Sequence, residues 1–593
     1  MGRSQVNSAA HPGISRPAWL LALLGLAAAA AAGLLASGAG DPVGAEAKKK
    51  KKKDPNVVVV MTDDQTVESM RVMETVNSEI GGNGVTFANH FTNWAVCCPS
   101  RATFLTGQYS HNHGVRGNTA PDGGFGRFNN NKTLATWLQQ AGYHTVHIGK
   151  FLNGYGGSAS GAALVPPGWS EWYAGTNGTT QLVYDYTLNE NGNLIDYGTD
   201  AEDFKQDVLT DRAVEVIDRR APMRKPFFVT VAYTAPHGGG PNPNPQPPTN
   251  ACQGSAKPAP RHASAFQSEP LPQPPNFNEA DVSDKPDEIA NNPSLTGGDV
   301  DDITTNYRCR LASLLSVDEG VGEIMDALGA SGELDNTLVV YTSDNGFFHG
   351  EHRVKNGKTK LYEPSIRVPL LMRGPGIPSK ENTVEDLTIN ADVAPTIVKA
   401  TGADPNLTMD GRSLRSVARH SNRVSGRAMF LDTKGYKAVR TERYLYAEHS
   451  TNETEMYDLE ADPFELQSVH ADPAYAKPRS RLAKLLNRLR DCSGKKCSRG
   501  PKVKLKLKPD KARGQGCRQA PLKALLRGKE RKLVDEASFR GAGKSDRDRK
   551  RPFKFNLSRS KLKGKGKVKV KATVILRDGR RDSTLKKKTS VCG

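Results

Sequence analysis

An α/β fold built on a large, mostly parallel sheet is predicted by three apolar runs that each stop abruptly at polar residues. The runs are Val57–Met61, ending in Thr62-Asp63-Asp64; Phe227–Tyr233, ending in Ala235-Pro236-His237; and Thr337–Tyr341, ending in Ser343-Asp344-Asn345-Gly346. A strand that is apolar along its whole length suits a parallel sheet covered on both faces. Helical patterns at Thr133–Ala141 and Leu311–Leu328 supply the covering layers. In such sheets ligands gather beyond the carboxyl ends of the strands, so the Asp-Asp, His and Asp-Asn endings are expected to meet.

Ahead of the first strand, Arg3 and Arg16 precede an apolar stretch from Ala18 to Ala36. The small-residue sequences Ser37-Gly38-Ala39 and Ala45-Glu46-Ala47 follow it. This predicts a signal peptide over residues 1–47 and a secreted, extracellular protein, with an uncleaved membrane anchor as the alternative. Alanine dominates after Leu26, and the six lysines Lys48–Lys53 would fall on the outer side of an anchor, against the usual bias. Residues 48–55 read as a lysine-rich linker, and residues 56–410 as the main α/β domain. Within it, the Pro/Gly/Asn-rich stretch His237–Asn276 follows a polar strand end and is expected to cover the site, with a disordered insert as the alternative. The runs Tyr436–Arg440 and Tyr444–Ala447, closed by a helix over Pro478–Leu489, predict a small antiparallel subdomain over residues 411–492.

Charge separates the rest. The chain is +20 overall, but residues 501–593 hold 32 Lys/Arg against 8 Asp/Glu. Without that segment and Lys48–Lys53 the remainder is net acidic. At 37% hydrophobic and 25% charged the chain is neither disordered nor a polytopic membrane protein. In the basic segment Val503, Leu505 and Leu507 alternate with lysines, as do Val568 and Val570, and Phe553, Phe555 and Leu557 also recur at period two. Asp578-Gly579 marks a hairpin turn. Period two gives one apolar and one cationic face, so residues 493–593 are predicted to form a basic β module, a sandwich, with a solvated tail as the alternative. Its expected partner is a polyanion, such as an envelope polymer. No nucleic acid is expected, because export removes it.

Eight cysteines in an exported chain point to disulfides. Cys252–Cys309, Cys492–Cys497 and Cys517–Cys592 are the expected pairs, although spacing alone leaves connectivity open. Cys97 and Cys98 remain. They open the segment Cys97-Cys98-Pro99-Ser100-Arg101-Ala102-Thr103-Phe104-Leu105-Thr106-Gly107, which reads as a short helix with proline near its start and glycine past its end. Cys97 then lies at a helix N-terminus, where backbone N–H groups favour an anion.

This Cys-x-Pro-Ser-Arg followed by Leu-Thr-Gly resembles the signature of the sulfatases, a family with an alkaline-phosphatase-like fold. The resemblance implies that Cys97 is converted to formylglycine by a generating enzyme, and that Arg101 supports it. It also implies that Asp63, Asp64, Asp344 and Asn345, with the modified Cys97, bind a divalent cation. Oxygen donors make that cation calcium, with magnesium as the second choice. Lys150, in Gly149-Lys150-Phe151-Leu152-Asn153, and Lys358, after Gly357, match the two sulfate-binding lysines. His237 matches the histidine at the scissile ester.

Many sulfatases carry a histidine where this chain has Leu152. The Gly-Lys-aromatic-Leu-Asn reading, the doubled cysteine and His111-Asn112-His113 instead resemble the N-acetylglucosamine-6-sulfatases and extracellular 6-O-endosulfatases. The implied substrate is a 6-O-sulfated amino sugar or related glycan, and the sulfated polymer itself is then the second expected partner of the basic module, beside an envelope polymer. Two alternatives stay open: hydrolysis of phosphate or phosphonate esters at a related site, and a catalytically idle envelope-binding protein. His111-Asn112-His113 is expected to be structural or to rim the site, while His349 and His352 either line the substrate pocket or are structural.

Overall fold

Val57–Val60 are β-branched and fully buried, and they carry the chain through the middle of the sheet. The computed structural model describes residues 54–157, 161–239, 252, 254–420, 423–509, 516–564 and 566–592. The expected signal peptide and the run Lys48–Lys53 lie outside the described residues. Strand β1 (Asn56–Thr62) runs parallel between β3 (Phe227–Ala232) and β4 (Thr337–Ser343), and β2 (His144–Gly149) adds in parallel to β3. Met61 and Gly149 both pair with Ala232, and Thr62 pairs with Ser343, so all four strands end at one level. The ten-stranded sheet is mixed at its margins, where Leu370–Arg373 pairs antiparallel with β4 and Tyr186–Glu190 pairs antiparallel with Asn193–Tyr197.

The period of two along β1 divides the core. Val57 and Val59 join the layer holding helices α1 (Cys97–Thr106) and α2 (Leu134–Gln140). Val58 and Val60 join the layer holding α3 (Lys205–Arg220) and α4 (Gly297–Ala330). Helix α4 has 34 residues and starts well before the expected Leu311, behind a capping box made by Thr296 and Asp299. Its first turns carry Asp299, Asp301, Asp302 and few apolar residues, so apolar periodicity reveals only the buried second half.

The four antiparallel strands between Met429 and Asp458 share a core with α5 (Ala476–Leu489). The basic segment is folded: a three-stranded and a four-stranded antiparallel sheet enclose one apolar core, with Phe539 stacked on Phe555 at 5.6 Å. It is also docked. Arg488 of α5 meets Glu530 at 3.1 Å, and Ser583 N donates to Val424 O at 2.9 Å. The solvated-tail alternative is therefore set aside.

At this seam Glu442 accepts from Arg581 N at 3.2 Å, while its other carboxylate oxygen is buried without a partner. Burial, reinforced by the charge of Asp386, pushes its carboxyl up to about 8. The folded chain then holds a proton that the unfolded chain releases above the ordinary value of 4.5. Stability from this group is full below that value and is lost as pH rises toward 8, at no more than about 1.4 kcal/mol per pH unit. Thermal unfolding of Glu442→Gln across this range is expected to show a shallower decline than the unsubstituted chain.

The three disulfides are Cys252–Cys309, Cys492–Cys497 and Cys517–Cys592, and Cys97 and Cys98 are both buried thiols. The first ties the stretch after His237 to α4, although residues 240–251 and 253 lie outside the described residues. Its later part is pinned to two helices by Arg261, which pairs with Asp207 at 2.6 Å and Glu319 at 2.7 Å. His111 and Asn112 both bond to Cys492 O, and His113 bonds to Thr103 Oγ1, so this triplet braces α1 against the C-terminal subdomain. His352 is fully buried against Glu279 at 2.6 Å and is structural.

Candidate active site

The four coincident strand ends deliver the polar residues to one place. Asp63 and Asp64 follow β1, Lys150 follows β2, His237 follows β3, and Asp344 and Asn345 follow β4. Two backbone bonds staple these ends together, Asp63 N to Ala235 O and Asp344 N to Thr62 O, both 3.2 Å. Gly149 holds a φ of +97° and lies against β3, where an added Cβ would sit 2.2 Å from Ala232 O. Only glycine lets Lys150 turn into the site. Lys358 arrives from the loop after β4, behind Gly357 at φ +135°.

Cys97 begins α1 after the extended Val96 and points its thiol into the cluster. Its Sγ lies 3.1 Å from Lys358 Nζ, 3.5 Å from Lys150 Nζ and 3.5 Å from Asp63 Oδ1. Lys150 also pairs with Asp63, and Lys358 with Asp64. Arg101, one turn along α1, donates to Asp344 Oδ2 and to Lys150 O, each at 2.7 Å, and lies 3.5 Å from Asp63. His237 Nε2 is 3.7 Å from Asp64 Oδ2 and 3.5 Å from Gln181 Nε2, while Nδ1 bonds to Gly238 O at 2.6 Å. Every residue expected at the site from sequence is thus in this cluster.

The electrostatics are those of mutually compensating buried charges. Burial opposes ionisation of Asp63, but Lys150, His237, Arg101 and Lys358 outweigh it and hold the carboxyl well below the usual range. Burial and the charge of Asp63 raise Asp344, against Arg101. Burial also works against the Lys358 ammonium, yet Asp64 and Cys97 hold it well above the ordinary lysine value. Burial, aided by Lys150 and Lys358, lowers His237. Cys97 is pushed up to about 11 by burial and then by Asp63, so as a plain thiol it would be a poor nucleophile at neutral pH. Cys98 reaches about 12, with its Sγ accepting from Asn153 N at 3.1 Å.

The donor set suits a hard cation. One ligand atom from each of Asp63, Asp64, Cys97 and His237 lies within 4.8 Å of the others. Asn345 donates through Nδ2 to Asp64 Oδ1 at 2.6 Å, which leaves its Oδ1 buried and unpartnered. A buried carbonyl oxygen without a donor beside three carboxylates is what an oxygen-coordinated divalent ion would satisfy. Asp344 falls outside the 4.8 Å group because Arg101 and Asp64 N hold its two oxygens. It remains the neighbouring carboxylate.

Sequence alone gave no place to Arg310. It is buried on α4, donates to Pro236 O at 2.8 Å and to Asp64 O at 2.5 Å, and lies 3.9 Å over the Phe347 ring. Burial lowers it to about 10 against the pull of Asp64. It clamps the ends of β1 and β3 from the side opposite Arg101. An arginine beside the Cys309 disulfide on an otherwise apolar helix face was the available signal. Asn118, whose Oδ1 accepts from Cys98 N at 2.9 Å, and Gln181 had none.

Known proteins resemble this chain. The Sulfatase family matches residues 55–403, and the N-sulphoglucosamine sulphohydrolase C-terminal family matches residues 350–492. The human N-acetylglucosamine-6-sulfatase is 35% identical over 62% of this chain and 65% of its own length. The goat (Capra hircus) protein of that name is 32% identical over 74% and 83%. A putative extracellular sulfatase Sulf-1 homolog of Caenorhabditis elegans is 35% identical, and the chain spans about half of its length, 48%. A solved structure described in complex with its substrate D-glucosamine-2-N,6-O-disulfate superposes with a TM-score of 0.60 at 27% identity, covering 73% of this chain and 97% of that one. The phosphonate monoester hydrolase of Agrobacterium radiobacter, at 22% identity and a TM-score of 0.57, covers 74% and 95% and shares the fold. With more than half its length matched and the signature cysteine seated among the strand ends, this chain belongs to the sulfatase family.

Proposed function

We propose that the chain hydrolyses the sulfate monoester of a 6-O-sulfated amino sugar or related glycan, using a formylglycine formed from Cys97 and one divalent cation. The observation that carries this reading is the seating of Cys97 Sγ within 3.5 Å of two lysine ammonium groups and a buried carboxylate. The names of the glucosamine-6-sulfatase relatives and the disulfated glucosamine in the related structure support the sugar. Asp63, Asp64, Asp344, Asn345 and the modified residue 97 would hold the ion, calcium first and magnesium second, and it would add positive charge at the sulfate oxygens. Formylglycine, as its hydrate, supplies an oxygen nucleophile that can release its own sulfate, which a serine or cysteine side chain cannot.

The chain's own residues do the rest. Lys150 and Lys358 bind the nonbridging sulfate oxygens and stabilise charge that builds there. Arg101 fixes Asp344 and the turn of Lys150, and so orients the nucleophile. His237, with Nδ1–H held by Gly238 O, presents Nε2 to the ester oxygen; in its imidazolium form, which Asp64 and Asp63 favour against burial, it gives the departing sugar oxygen its proton and is left neutral. We assign residues 56–410 to the catalytic domain, 411–492 to its C-terminal subdomain and 493–593 to the basic module. Secretion through residues 1–47, supported by the name of the nematode relative, and a formylglycine-generating partner complete the reading.

The test compares leaving groups. His237→Gln is expected to slow hydrolysis of N-acetylglucosamine 6-sulfate roughly 10²- to 10⁴-fold, but to slow 4-nitrophenyl sulfate, whose leaving group needs no proton, far less. Equal losses would remove His237 as the acid. Faster turnover of 4-nitrophenyl phosphate than of the sulfate by the unsubstituted enzyme would overturn the sulfatase reading in favour of a phosphoryl-ester hydrolase.

A further inference from the structure

The exposed face of the module's four-stranded sheet carries cations where a sheet ordinarily avoids them. Its strands are β5 (Val534–Gly541), β6 (Lys544–Asp548), β7 (Lys567–Leu576) and β8 (Arg581–Ser590), in the order β6-β5-β7-β8. Arg540 on β5 is in register with Lys571 on β7, which is in register with Lys586 on β8. One row along, Lys569 faces Lys588. All five side chains are exposed, and none meets a carboxylate at ion-pair distance among the described residues. Neighbouring strands lie about 4.8 Å apart, and like charges directly opposite one another destabilise a sheet. Lys571 in particular, with Lys588, Lys586 and Arg423, makes the Lys569 ammonium easier to discharge. Of the module's carboxylates, Asp535 pairs with Arg577, Glu536 with Arg547 and Arg549, and Asp578 with Arg580, while Asp546 lines the groove beside these rows.

The rows open into a groove completed by the catalytic body. Val424 and Ser583 exchange hydrogen bonds, Ser583 N to Val424 O at 2.9 Å and Val424 N to Ser583 Oγ at 3.0 Å, which set Arg423 beside the sheet. A groove of about 1050 Å³ lies between Arg419 and Arg423 on one side and Arg540 and Lys571 on the other. A second hollow of about 400 Å³ shares Arg540 and Lys571 and adds Lys544 and Lys569. Ser538, Ser545, Thr573 and Ser583 place hydroxyls among the cations. The module's Phe539 and Phe555 are spent in the core, so no aromatic face is offered to a base, and Ile575 is the one large apolar side chain exposed among its described residues. That leaves little for a nucleic-acid base or a lipid tail.

We propose that this face is a docking surface for a sulfated polysaccharide, whose closely spaced anions relieve the opposed cations. The choice of a sulfated polymer over other polyanions rests on the sulfatase reading above. The test measures binding of the full chain to immobilised dextran sulfate, with unsulfated dextran as the blank. Replacing Arg540, Lys571 and Lys586 together by serine is expected to weaken binding about ten-fold or more and to flatten its salt dependence. Replacing Lys504, Lys554 and Lys561 by serine removes equal charge from other parts of the module and is expected to change binding by less than about two-fold. Hydrolysis of N-acetylglucosamine 6-sulfate is expected to persist in both variants. Lys569→Ser with Lys588→Ser gives an independent check should the first variant fold poorly.

Equal weakening by both triple variants would reduce the effect to net charge and overturn the surface. Stronger competition by duplex DNA or by phosphatidylserine vesicles than by soluble dextran sulfate would overturn the choice of partner. Failure of catalysis in the unsubstituted chain, with surface-dependent binding retained, would strike the catalytic reading alone.

Discussion

Replacing Cys97 by alanine is expected to abolish hydrolysis of N-acetylglucosamine 6-sulfate, with a loss of at least about 10⁴-fold, because no other side chain can supply the nucleophile. Cys97→Ser is expected to be as inactive at steady state, since a serine sulfate has no second hydroxyl with which to expel sulfate. Cys98→Ala serves as the control. Its thiol is turned toward Asn153 and away from the lysines, so turnover is expected to stay within a few-fold and the main cost is a small packing loss. Mass analysis of the peptide spanning Cys97 supplies the second readout. An intact cysteine in fully active protein would overturn the formylglycine assignment whatever the kinetics of the variants.

The second large effect concerns Lys150. It is 2% exposed and pairs with Asp63, which is fully buried. Lys150→Ala removes the counter-charge that pairs directly with a buried carboxylate. Breaking a buried pair in this way typically costs about 3–5 kcal/mol of stability, because the remaining charge is stranded. Here Arg101, His237 and Lys358 still face Asp63, so the expected loss lies toward the low end, read as a fall in melting temperature. Turnover is expected to fall about 10²- to 10³-fold through lost stabilisation of the sulfate oxygens. Adding Asp63→Asn is expected to restore part of the stability and none of the activity. A double variant that regained turnover would mean that Lys150 acts only by neutralising Asp63.

The sheet and its chemistry were legible for the same reason: a strand buried on both faces must be apolar until it ends, so the change from Val60-Met61 to Asp63-Asp64 marks both a boundary and a site. The alternation of Val568 and Val570 with lysines likewise gave the sandwich, because a half-buried strand has no other way to place its apolar side. Arg310 was hidden because its role comes from backbone carbonyls of Asp64 and Pro236, which no sequence pattern announces. The first half of α4 was hidden because helix continuation there depends on a capping box and solvent-facing acids, without an apolar stripe. The docking of the module was invisible for a related reason: Glu530, Arg488, Ser583 and Val424 lie far apart in sequence, and only the folded chain makes them neighbours.

Cys97 is 1% exposed, walled in by α1, the ends of β1 and β2, and the loop bearing Lys358. On the formylglycine reading proposed above, an enzyme that oxidises it could not reach it once those strands have paired. Maturation would then be a race between the modifying enzyme and the collapse of the sheet, and the contestants would run on different clocks. Strand β1 lies within 50 residues of Cys97, but its partners β3 and β4 are synthesised long afterwards, so the chain's own order of emergence keeps the cysteine accessible while the later strands are still missing. A parallel sheet whose middle strand must wait for distant neighbours doubles as a delay timer for the chemistry it will house.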